Sequence, residues 1–84
     1  MLNISGETKL TPDAVMEKAK EFFIKDTGLN LVDINDSCAT FEGGGGGVTV
    51  TVTPGSDNKK TSVEVVTREW EYQVKKFMEA IKTG

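Results

Sequence analysis

Between Val48 and Thr53 the chain reads VTVTVT. Alternation this strict belongs to an extended strand, whose pleat sends successive side chains to opposite faces. Val48, Val50 and Val52 share one face; Thr49, Thr51 and Thr53 share the other. The segment therefore specifies a sheet with one apolar side and one hydroxyl-bearing side. The rest of the chain must cover the first.

Further strands are legible on either side. Leu2 and Ile4, with Gly6, alternate with Asn3, Ser5 and Glu7. LNLVDI predicts a strand from about Leu29 to Ile34, with its faces left open because Leu31 and Val32 are adjacent. Asn35-Asp36 is a turn signal, and SCATFE then sets Ala39 and Phe41 against Cys38, Thr40 and Glu42. Pro54-Gly55-Ser56-Asp57-Asn58 is a turn rich in breakers. KTSVEVV follows as a strand, with Val63 and Val65 facing in and Ser62 and Glu64 out.

Two helices supply the cover. Thr11 can cap the first, and Pro12 suits its first position, where no N–H is needed. Asp13 complements the dipole, and Val15, Ala19, Phe22 and Phe23 recur at helical spacing. Gly28 can close a helix running from about Pro12 to Asp26. The second is TREWEYQVKKFMEAIKTG, with Thr67 as its cap and Trp70, Val74, Phe77 and Ile81 as its stripe. Glu21–Lys25 and Glu71–Lys75 are spaced as ion pairs on the wet sides.

The reading is a single α+β domain over residues 1–84, in the order β-α-β-β-β-β-α. Four consecutive strands with short connections form an antiparallel meander, and both helices pack on its apolar face in two layers. This order resembles the repeat unit of TATA-box-binding proteins. It is also similar to the helix-grip arrangement of plant allergen and lipid-transfer (START-like) domains. The likeness covers nearly the whole chain as an order of elements, and no residue motif of either family is matched.

Five glycines, Gly43, Gly44, Gly45, Gly46 and Gly47, stand between two of the strands. A phosphate-binding P-loop needs Gly-Lys-Ser/Thr opening a helix, and here Val48-Thr49-Val50 opens a strand. The dinucleotide fingerprint fails in the same way. A backbone nest for a nucleotide or anion is the weaker alternative. A hairpin loop of about five residues between Phe41 and Val48 is the simpler reading. It leaves surplus glycine. Either the run extends into the strands, as a bulge or to admit a large group such as Trp70, or its tip orders on binding. The first is favoured.

Composition narrows the function. There is no histidine, so the commonest general base and metal ligand are missing. Cys38 is the single cysteine, without a partner thiol, and is expected to be structural. Asp33, Asp36 and Glu42 lack the spacing of a calcium loop, and turn capping explains Asn35 and Asp36. No catalytic residue, metal site or cofactor is expected, and the chain reads as a non-enzyme. Its net charge of −3 with scattered lysines disfavours nucleic acid and acidic membranes. An amino end without a basic or apolar block, no long apolar run and a lone thiol predict a cytoplasmic protein.

The favoured function is therefore contact with a protein partner or a second copy, through the threonine-rich face or an open strand edge. An alternative is a small apolar ligand held between the sheet and the last helix by Phe22, Phe41, Val50, Val65, Trp70 and Phe77. Tyr72 lies off the stripe beside Lys76, resting on its neighbours or anchoring a partner.

Overall fold

A computed structural model describes residues 2–35, 37–55 and 60–83. Five strands form one antiparallel sheet: β1 (Leu2–Thr8), β2 (Asn30–Ile34), β3 (Cys38–Gly43), β4 (Gly46–Pro54) and β5 (Thr61–Arg68). Their order across the sheet is β1-β5-β4-β3-β2. The last four are the expected meander. The first helix carries the chain from β1, beside β5, to the opposite edge at β2.

The valines of VTVTVT point inward, each 1% exposed or less. Ala39, Phe41, Val63 and Val65 continue that buried face, and helices α1 (Pro12–Lys20) and α2 (Glu71–Thr83) cover it. Phe23 sits at the centre of the core. Its ring lies 5.4 Å from that of Phe41 and 5.2 Å from that of Phe77, joining the helical turn that follows α1 to the sheet and to α2. Aromatic pairs at such separations add roughly 0.5–1.5 kcal/mol each beyond their area burial.

Thr11 caps α1, its Oγ1 accepting from the Ala14 N–H at 3.2 Å, and Pro12 opens the helix. The helix does not stay α throughout: Glu21–Asp26 is a π-helical turn. The wider turn sets Phe22 against Phe77, 5.9 Å between rings, and Phe23 into the core. Glu21 and Lys25, both within this turn, do not pair with each other. Lys20 pairs with Glu17 at 2.8 Å instead. Glu71 and Lys75 do not pair either, and Lys76 lies over the Tyr72 ring, 5.6 Å from its centroid.

Thr67 is not a helix cap. It belongs to β5, is buried, and donates its hydroxyl to the Gly47 carbonyl at 3.0 Å. The helix begins later because Glu69 adopts a left-handed φ of 73° and turns the chain away from the sheet. Trp70 precedes α2, its carbonyl accepting from the Val74 N–H at 3.0 Å, and its ring is only half-buried. Two other buried threonines fasten the layers. Thr8 donates to the Ile81 carbonyl at 2.7 Å and Thr61 to that of Leu10 at 2.6 Å. Among the described residues no buried side-chain polar atom lacks a partner.

Candidate functional site

The five glycines resolve into a two-residue turn and its flanks. Gly43 pairs with Gly46 and Glu42 with Gly47, so only Gly44 and Gly45 lie outside the strands. Both have positive φ, 60° and 84°, as a primed hairpin turn demands. The expected five-residue loop is thus shorter, because the glycines take part in the ladder. The surplus has a steric cause. A Cβ on Gly44 would lie 2.8 Å from the Trp70 ring, and one on Gly46 would overlap the Arg68 carbonyl and approach Glu69 Cβ to 2.7 Å. Trp70 Nε1 donates to the Gly43 carbonyl at 3.1 Å. Ring and hairpin are locked together, as the close-approach reading expected.

Neither helix covers the other side of the sheet. Its side chains stand in rows set by the register. Nearest the hairpin run Asn30, Glu42, Gly47 and Arg68. Next come Asp33, Thr40, Thr49, Val66 and Asn3, then Cys38, Thr51, Glu64 and Ser5. A register shift between Leu31 and Asp33 resolves the ambiguous strand: Leu31 pairs with Phe41, while Val32 is 53% exposed. Val32 and Val66 join Thr40, Thr49, Glu42 and Arg68 around an open trough of about 770 Å³ on this face. Gly47 forms part of its floor. The two valines were missed from sequence, where each adjoins another apolar residue.

The other candidate residues lie elsewhere. Phe41, Val50, Val65 and Phe77 are buried in the core, whereas Phe22 and Trp70 are half-buried at its margin. Cys38 is half-buried on the open face, with the Thr51 hydroxyl 3.8 Å from its Sγ. Asn35 Oδ1 accepts from the Ser37 N–H at 2.9 Å, the turn-capping role anticipated for it; Asp36 lies outside the described residues. Among the described residues no three potential ligands gather as a metal site, and no helix is long and apolar enough to cross a membrane.

Together these features define a two-layer α+β domain with one covered and one open sheet face. Comparison with protein-family models, with curated proteins and with solved structures gives no match.

Proposed function

We propose that this chain is a small non-enzymatic domain that works by binding a protein, through the face of its sheet that the helices leave open. A single observation carries the reading. Both helices lie on one side, and the other side presents Val32, Val66 and a band of threonines around a shallow trough. A surface that mixes apolar and hydroxyl side chains at its centre with charged ones such as Glu42 and Arg68 around them is suited to contact with another folded surface. The likeness to the TATA-box-binding-protein repeat and to helix-grip domains is one of element order, and supports only the architecture beneath this reading. The lone Cys38 suits a reducing, cytoplasmic setting.

Thr49 stands in the middle of the face, so Thr49→Arg is the test, with Tyr72→Ser on α2 as the control. Thr49→Arg is expected to abolish association, with itself or with a recovered partner, while Tyr72→Ser leaves it intact. Urea unfolding checks that Thr49→Arg stays within about 0.5 kcal/mol of the parent, as surface changes usually do. Association that survives Thr49→Arg overturns the reading. So does a strict monomer that recovers no partner.

A further inference from the structure

The row nearest the hairpin holds an acid on β3, Glu42, a bare backbone on β4, Gly47, and a base on β5, Arg68. Building on the reading that the open face binds, we infer that its occupant is a second copy of this chain. The two sheets pack face to face about a two-fold axis running along β4.

Charge complementarity selects this occupant. A two-fold axis lying in the interface along β4 exchanges the β3 side with the β5 side as it turns the face over. Glu42 then meets the partner's Arg68, and Arg68 meets the partner's Glu42, so one row supplies two ion pairs. In the next row Thr49 meets its own copy and Thr40 meets the partner's Val66. In the third, Cys38 meets the partner's Glu64. No acid faces an acid in these three rows.

The local geometry leaves the charges available. Glu42 and Arg68 are exposed, and neither forms an ion pair among the described residues. They stand two strand spacings apart, roughly 9.5 Å between backbones. Glu42 leans toward the gap, its Cγ 3.6 Å from where a Gly47 Cβ would be. In this row Gly47 puts no side chain on the axis, which leaves room for Glu42 and Arg68 to reach their partners across the roughly 10 Å separation of aligned sandwiches, while Thr49 and Thr51 occupy the axis in the next two rows.

Sedimentation equilibrium of charge variants tests this. The parent chain is expected to show a monomer–dimer equilibrium. Glu42→Arg and Arg68→Glu each place like charges opposite one another and weaken dimerisation by about tenfold or more. An equal mixture of the two variants restores both ion pairs and recovers the parent affinity to within about threefold. The double exchange E42R/R68E on one chain does the same. A parent dimer that neither single variant weakens, or a mixture no tighter than its components, overturns the inference. A parent chain monomeric at every concentration also overturns it. If a Thr49→Arg-sensitive protein partner is still recovered in that case, the broader reading of the face stands.

Discussion

At Gly46 a side chain has nowhere to go, whereas at Gly45 it has space but the wrong backbone. These two neighbours separate the two reasons for the glycine run. Gly46→Ala drives a methyl into the Arg68 carbonyl, which neither strand can yield without losing its ladder, and should cost about 3 kcal/mol. Gly45→Ala meets no atom within 4 Å but is held at a φ of 84°, and should cost about 1 kcal/mol. The midpoints of urea unfolding order the two. Equal losses would contradict this division. Glu69 bears the reverse strain, a left-handed φ without being glycine. Glu69→Gly should raise stability by up to about 1 kcal/mol, and a loss on the same assay would show that its side chain holds the junction.

Among the elements, the junction between β5 and α2 is where local pattern and fold part company. Thr67 preceding a helical stripe reads as a cap, yet Val63, Val65 and Thr67 share one face of a strand, and that longer pairing with β4 prevails. Thr67→Val keeps the shape and removes the hydroxyl that serves the Gly47 carbonyl. It should cost about 1 kcal/mol and speed amide exchange in the β3–β4 hairpin. Unchanged exchange there would show that the bond is not what holds the hairpin to β5. The alternation of VTVTVT made the layered fold and the threonine face legible, because burial on one side permits only one parity. The row of Glu42, Gly47 and Arg68 was not legible. Which residues stand opposite one another depends on turn length, and a five-residue loop conceals the pairing that a two-residue turn sets. The π turn was hidden too: Phe22 and Phe23 fit a helical stripe without showing that the spacing widens at Glu21.

For the molecule as a whole, asymmetry between its two sides decides what it can do. With a radius of gyration of 11.7 Å, the chain is as small as a folded domain of its length should be, about 12 Å. Both helices are used up on one face. Exposed large apolar side chains also occur at Ile24 in the π turn, which contacts the edge strand β2, at Ile34 on β2 itself and at Tyr72 on α2. A methyl-resolved NMR dilution series compares these surfaces in one sample. Signals of Val66, Thr40 and Thr49 should shift and broaden as concentration rises, with Val50 and Val65 still. Movement confined to Ile24 and Ile34, with the threonine face silent, would place association at the strand edge and contradict an interface built on the open sheet.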